Sequence, residues 1–364
     1  MYTVPIHKLK PGMITAERVV TRQGQLIVEQ NQMLTKQMIS HLSYYNVSEV
    51  KILDGALPSE VIQSMAREKE AHDTYAQRVR DSKEFQEFQI HYEESIDGLD
   101  YSINDFITKN IPFNKEKLVD LTLDLFSKNA TTISMFDMLH NTRQITDSTY
   151  AHSINVAIIS RMIGMWMDYN TEALDSLTLG GLLHDIGKCK IPLSIINKPG
   201  RLTPEEYSVI KTHPVIGYEM LKNQNIPSRI KKIVLTHHER CDGSGYPMGL
   251  HGEDIDDYAN IIGIADIYDA MTSDRCYRDG VCPFEVISIF ESDGLGQFKP
   301  QFITCFLERI ANTYIGNNVL LSNGSIGKIV LISKGQLTRP IVQTDHDHFI
   351  DLGKRPEIYV QAII

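Results

Sequence analysis

The sequence predicts a mainly α protein, a many-helix core with a small α+β module before it and a short β extension after it. Three observations carry this expectation. From about residue 111 to residue 314, apolar residues recur at helical spacing in one segment after another. At both ends the pattern shifts to short apolar runs around Gln23-Gly24 and Asn323-Gly324, pairs that favour tight turns. Within the helical region several histidines fall at segment ends, and two of them, His237 and His238, are adjacent.

The segments follow in order. Residues 1–57 read as the α+β module. Met13 to Val20 and Gln25 to Glu29 form a hairpin about Gln23-Gly24, Thr35 caps a short helix through Tyr45, and Val47 to Leu53 is a strand. Residues 58–110 read as a charged helical connector. Val61, Ile62, Met65, Ala66, Tyr75, Ala76 and Val79 are spaced too irregularly to choose between a coiled coil with a second subunit and packing on the same chain. Residues 111–314 form the core. Helices are expected over Asn114–Lys128, Thr131–Arg143, Ala151–Met167, Thr171–His184, Thr203–Val209, His213–Lys222, Pro227–His238 and Asn260–Met271. Thr203-Pro204-Glu205-Glu206 marks one start, with a cap and a proline in the first turn. Residues 315–364 form the β-rich extension, with runs over Asn317–Ile332 and Ile358–Ile364.

Composition excludes several classes. A chain of 364 residues can hold one large core plus one or two small modules. The net charge of −10 opposes stable binding to nucleic acid and leaves any phosphate substrate dependent on metals or local cations. Cys189, Cys241, Cys276, Cys282 and Cys305 are odd in number, lack a Cys-x-x-Cys pair and fit a reducing compartment. Met1 to Gly12 carries no apolar run, and Ile154 to Met167 is short and interrupted by Arg161. A cytoplasmic protein with no membrane span is the expectation.

The chemistry is concentrated in the core. His184-Asp185 follows an apolar helix that Gly187 is expected to end. His152 lies near the start of an apolar helix, His213 opens another, His237 and His238 close a third, and Asp266 lies inside a fourth. One such histidine is usually a hydrogen-bonded core residue, and His140 is read that way. The whole set together points to a metal centre, because buried ring nitrogens need partners. Two other pairs are decoys. His72-Asp73 lies in a polar segment, and the Asp345-His346-Asp347-His348 run sends alternate residues to opposite sides.

Asp242 to Gly249 completes the pattern with a Gly-rich loop that presents Tyr246 and Pro247. With this loop, residues 111–314 resemble the HD-GYP branch of the HD phosphohydrolases, named for pairs such as His184-Asp185 and tripeptides such as Gly245-Tyr246-Pro247. The resemblance implies a metal-dependent phosphohydrolase fold. It assigns His152, His184, Asp185 and Asp266 to one ion and Asp185, His213, His237 and His238 to a second. Asp185 is then the bridge, since one carboxylate can serve two cations. The ions expected are iron or manganese, and a water shared by them would supply the nucleophile. Lys188 is read as the catalytic cation that orients this nucleophile or stabilises phosphate charge. Tyr246, Arg275 and Arg278 are read as the substrate contacts. Cys276 stands where the family usually has proline. Cys241 is read as packing, with no activating pair in view.

The activity implied is hydrolysis of cyclic di-GMP to linear pGpG, with a second cut giving GMP. A different cyclic dinucleotide, such as cyclic GMP-AMP, or a weakly catalytic nucleotide sensor are the alternatives. Partners implied are a second copy of the chain, and a diguanylate cyclase or other signalling protein docking on the Gly245-Tyr246-Pro247 loop. Members with three metals carry a glutamate four residues before the first histidine. Ser148 stands there, with Asp147 one step round the helix, so two ions are expected. Asp269, three residues beyond Asp266, is the one other candidate to help hold a third. The first 110 residues show no receiver pattern, and all eight metal-centre residues, Lys188 included, lie beyond them, so they are expected to be separable.

Overall fold

A computed structural model describes residues 2–5, 9–10, 12–20, 26–34, 38–39, 42, 49–53, 79–126, 132–142, 149–198, 200–272, 282–292, 294–344 and 348–364. Arg275, Arg278, Cys276, Asp147, Ser148, His72-Asp73 and Asp345 to Asp347 lie outside the described residues. The chain divides into two units, residues 1–72 and 73–364.

In the first unit, β1 (Tyr2–Pro5) pairs antiparallel with β4 (Glu49–Ile52), Val4 opposite Val50. β2 (Val19–Val20) pairs with β3 (Leu26–Val28), the expected hairpin, whose turn lies outside the described residues. Residues 38–39 and 42 are helical where a short helix was expected. Val4, Leu9, Val19, Val28, Leu34, Leu42, Val50 and Ile52 bury one another as a small core.

The first long helix among the described residues of the second unit is α1 (Lys83–Lys109). The Ser82 side chain caps it by accepting from the Phe85 amide, and Asn110 ends it in the left-handed conformation at φ 53°. Phe85, Phe88, Tyr92, Leu99, Ile103 and Phe106 recur at three- and four-residue steps on one buried face. Most of this stripe belongs to the same core as the helices beyond it. The described part of the expected connector therefore packs on its own chain. Removing residues 1–110 would cut through the core, so α1 is not separable from it.

The core continues through α2 (Lys115–Leu123), α3 (Thr132–Thr142), α4 (Thr149–Trp166) and α5 (Thr171–Leu183). α4 is apolar on nearly every side and almost wholly buried, as a central helix must be. After α5 a 3-10 turn (Ile186–Lys190) and a short α6 (Leu193–Ile196) lead to α7 (Pro204–Ile210). α7 starts on the reciprocal box of Thr203 and Glu206. Then come α8 (His213–Leu221), α9 (Ser228–Thr236) and α10 (Asp257–Thr272). Two further helices, α11 (Pro283–Ser292) and α12 (Pro300–Thr313), were not anticipated. Each opens on a proline, which suits the first turn.

One expectation about the core is corrected. Gly187 does not end α5, which stops at Leu183 with His184 as its C-cap. Gly187 sits inside the 3-10 turn, where a Cβ would stand 2.0 Å from the His213 carbonyl oxygen and 2.7 Å from the Gly217 amide. A glycine is required there so that the turn can lie against the start of α8.

The C-terminal residues form a five-stranded antiparallel sheet in the order β8-β7-β6-β5-β9. β5 (Asn318–Leu321), β6 (Ile326–Ser333) and β9 (Val360–Ile363) match the expected runs, and β7 (Gln336–Gln343) and β8 (Phe349–Asp351) fill the interval. Val319, Leu321, Ile329 and Val342 continue the helical core, so the sheet extends that core. Among the described residues no helix is long and apolar enough to cross a membrane.

Candidate metal centre

The ends of four helices, the interior of a fifth and the 3-10 turn deliver the site. α4 carries His152 and α10 carries Asp266, both facing the point where α5 ends in His184 and Asp185. α8 opens with His213, and α9 closes into His237 and His238. Helix ends suit this task because their last side chains leave the regular ladder and can turn inward. His184, Asp185, His213 and His237 are buried, with relative exposures between 0% and 4%.

The hydrogen bonds behind the rings fix their tautomers. His184 donates from Nδ1 to the Gly181 carbonyl at 2.7 Å, His213 to Ile210 at 2.7 Å and His237 to Val234 at 2.9 Å. His152 donates from Nδ1 to Asp269 Oδ2 at 2.7 Å. With the Nδ1 proton held behind each ring, all four Nε2 atoms point into the site.

Asp185 faces both ways. Its Oδ2 lies 3.3 Å from His184 Nε2 and 3.6 Å from His152 Nε2. Its Oδ1 lies 3.1 Å from His213 Nε2 and 3.9 Å from His237 Nε2. Lys188 donates to Oδ2 at 2.5 Å. Asp266 brings Oδ1 to 3.1 Å from His152 Nε2 and Oδ2 to 3.6 Å from His238 Nδ1. The donor atoms of Asp185, His213, His237 and His238 lie within 4.8 Å of one another, and so do those of His152, His184 and Asp185.

Two observations test whether metal ions fit. Buried His184 Nε2 and Asp185 Oδ1 have no hydrogen-bond partner. His213 Nε2 and His237 Nε2 stand 3.3 Å apart although both Nδ1 protons are committed elsewhere, so two lone pairs face each other. A cation removes both costs. The donor set, imidazole nitrogen with carboxylate oxygen, is one that divalent transition metals accept. The residues fit.

Electrostatics agree. Burial disfavours charge on His237, and the neighbouring histidines add to it, so its pKa falls well below the ordinary range. Burial lowers His238 to about 3. Both are neutral at neutral pH. Burial opposes ionisation of Asp185 and Asp266, but the histidines around each, and Lys188 beside Asp185, outweigh it and hold both well below the carboxylate range. Burial also opposes a charge on His152, yet hydrogen bonds to Asp266 and Asp269 prevail and raise it to about 9. His152 is therefore protonated at neutral pH, and an ion held there would have to displace the Nε2 proton. Below about pH 9, affinity at this set is expected to rise about ten-fold per pH unit, with about one proton released on binding at pH 7. Calorimetry in buffers of different ionisation enthalpy measures that proton, and a heat independent of buffer would contradict it.

Beside the metal set sits the Gly-rich loop. Tyr246 stacks on His238, with centroids 4.6 Å apart and planes at 27°, so one face of the phenol is already covered. The Tyr246 amide donates to the His238 carbonyl at 3.2 Å. A Cβ on Gly245 would stand 2.5 Å from that carbonyl oxygen and 2.4 Å from the Arg240 amide, which is why the loop can lie so close.

One contributing residue, Glu239, was not foreseen, and Asp269 takes a different role from the expected one. Glu239, buried at 1% exposure, accepts from the Met248 amide at 2.7 Å and the Leu250 amide at 2.8 Å, and so clamps the loop. A charged residue directly after two adjacent histidines was the available signal. Asp269 holds His152 from behind, with Oδ1 accepting from Asn155 at 3.0 Å. Both oxygens of this candidate third-ion ligand are thus engaged. Glu239→Gln is expected to leave metal content unchanged and to raise KM about ten-fold, the equivalent of one charge-assisted hydrogen bond. An unchanged KM in a fully loaded variant would remove the clamp from the account.

Comparison with known proteins places this geometry in context. The profile described as the HD domain matches residues 115–297. A cyclic di-GMP phosphodiesterase of Pseudomonas aeruginosa is 36% identical over 183 residues, 50% of this chain and 44% of that protein. A 3'3'-cGAMP-specific phosphodiesterase of Vibrio cholerae is 39% identical over 145 residues, 40% of this chain and 34% of that protein. The chain spans about half or less of the length of these relatives. An HDG"Y"P protein of Bdellovibrio bacteriovorus has a similar fold, with a TM-score of 0.51 and 17% identity, over 85% of this chain and 99% of that one. Since the profile spans half of the 364 residues and includes every described member of the metal set, the chain belongs to the HD domain family.

Proposed function

We propose that this chain is a metal-dependent phosphodiesterase of the HD-GYP branch that hydrolyses cyclic di-GMP to linear pGpG, with GMP as the product of a second cut. The observation that carries the reading is Asp185, whose two oxygens face two different histidine sets. The nucleotide comes from the names of relatives such as the Pseudomonas aeruginosa enzyme.

Two divalent ions, iron or manganese, are the proposed cofactors. When bound they acidify water and offset phosphate charge. His152, His184, Asp185 and Asp266 would hold one, and Asp185, His213, His237 and His238 the other. The reaction adds water across one 3'-5' phosphodiester. A phosphorus–oxygen bond to water forms, the bond to the 3' oxygen breaks, and a proton ends on that oxygen. Lys188, tied to Asp185 and partly exposed, is proposed to orient the nucleophile or neutralise charge on the phosphate. The uncovered face of Tyr246 is proposed to meet a base, and Arg275 and Arg278 the phosphates.

In the same reading residues 1–57 are a small α+β module, 58–110 connect, 111–314 catalyse and 315–364 extend the core. The setting is cytoplasmic. A second copy of the chain, and a diguanylate cyclase or other signalling protein at the Gly245-Tyr246-Pro247 loop, are the proposed partners.

Tyr246→Ala and Arg275→Ala are each expected to weaken cyclic di-GMP binding about ten-fold or more with metal content intact. Unchanged binding in both would remove the substrate role. The activity itself is tested by product analysis after anaerobic loading with Fe²⁺ or Mn²⁺, with cyclic di-GMP and cyclic GMP-AMP offered in parallel. Linear pGpG is the expected product. Cleavage of cyclic GMP-AMP alone would move the substrate assignment, and tight binding without product would make the chain a sensor.

A further inference from the structure

Behind His152 runs a buried chain of hydrogen bonds that reaches a helix far away in sequence. His152 Nδ1 donates to Asp269 Oδ2 at 2.7 Å, Asn155 Nδ2 donates to Asp269 Oδ1 at 3.0 Å, and Tyr92 Oη donates to Asn155 Oδ1 at 2.6 Å. Tyr92 Oη also lies 3.3 Å from the Ala151 carbonyl. Tyr92, Asn155 and Asp269 are buried, at 1%, 3% and 1% exposure.

The direction of every link is forced. Asp269 accepts from Asn155 Nδ2, so the Asn155 amide nitrogen is turned toward it. That leaves the Asn155 oxygen facing Tyr92, whose hydroxyl must donate. The other Asp269 oxygen then requires a proton on His152 Nδ1, which leaves Nε2 as the atom offered to an ion.

Burying a phenol hydroxyl and a carboxamide in an apolar core is costly unless each is paired. Phenylalanine at 92 would keep the ring contact with Phe88, whose centroid is 5.7 Å away, and need no partner. The hydroxyl is explained by what it holds.

We infer that Tyr92 and Asn155 are positioning residues for the His152 side of the metal centre, acting through Asp269 to fix the tautomer and aim of His152. The inference rests on the reading of His152 as a metal ligand. A role confined to pinning α1 against α4 would instead lower stability and leave ion binding at the two sets alike.

The full chain is titrated with Mn²⁺ against a competing chelator, for the wild type, Tyr92→Phe, Asn155→Ala and His152→Ala. Tyr92→Phe keeps the ring and its packing, so it remains informative if Asn155→Ala does not fold. The wild type is expected to bind two ions. Tyr92→Phe and Asn155→Ala are expected to weaken by about ten-fold or more the same step that His152→Ala removes, and to leave the other step unchanged. Adding Tyr92→Phe to His152→Ala is expected to change nothing further. Two wild-type steps that Tyr92→Phe leaves untouched, or weakens equally, would overturn the positioning role alone. A wild type that binds fewer than two ions would overturn the two-ion reading and this inference with it.

Discussion

Asp185→Ala is expected to strip most of the bound metal and to lower turnover by well over about 100-fold, the upper end of losses caused by changing a residue behind a ligand. The reason is its double placement. Oδ2 serves the side of His152 and His184, and Oδ1 serves the side of His213 and His237. Among the described residues Asp266 is the other carboxylate near both sets, and it reaches the second through His238 alone, at 3.6 Å. Asp266 approaches His152, His184 and His238 but none of the other two. Alanine leaves Lys188 without its partner at 2.5 Å, adding a cation where cations must bind. Elemental analysis of the variant decides the matter, and full occupancy would refute the bridge.

Gly187→Ala is expected to destabilise the chain by about 1–3 kcal/mol and to cost metal at the His213 side. This glycine touches no ligand atom. A Cβ there would nonetheless stand 2.0 Å from the His213 carbonyl, backbone that cannot rotate away as a side chain would. The start of α8 must move, and His213 with it, away from Asp185 Oδ1. Thermal unfolding and metal analysis of the purified variant provide the check. A variant with unchanged Tm and full metal would show that the close approach does not govern the site.

The legibility of this protein follows the range of its interactions. Helices α4, α5, α8, α9 and α10 were readable because each carries its own apolar pattern and its own start or stop. The clustering of His152, His184, Asp185, His213, His237 and His238 was readable because imidazoles and carboxylates inside apolar sequence have few other uses. What escaped depends on contacts remote in sequence. Asn155, one turn beyond His152, gave a local hint, but Asp269 is 117 residues from its partner His152 and Tyr92 is 63 from Asn155. Nothing near Tyr92 announces that its hydroxyl matters. Gly187 was seen but given the wrong reason, because a helix-ending glycine and a close-packing glycine look the same in sequence. α11 and α12 were missed although their buried residues join the common core.

The central claim is that two ions share Asp185 between the His152 and His213 sides. An anomalous-scattering map from crystals loaded with Mn²⁺ tests it most directly. The account predicts two peaks, one among His152, His184, Asp185 and Asp266 and one among Asp185, His213, His237 and His238. A single peak, or a third peak held by His152 or Asp269, would contradict it.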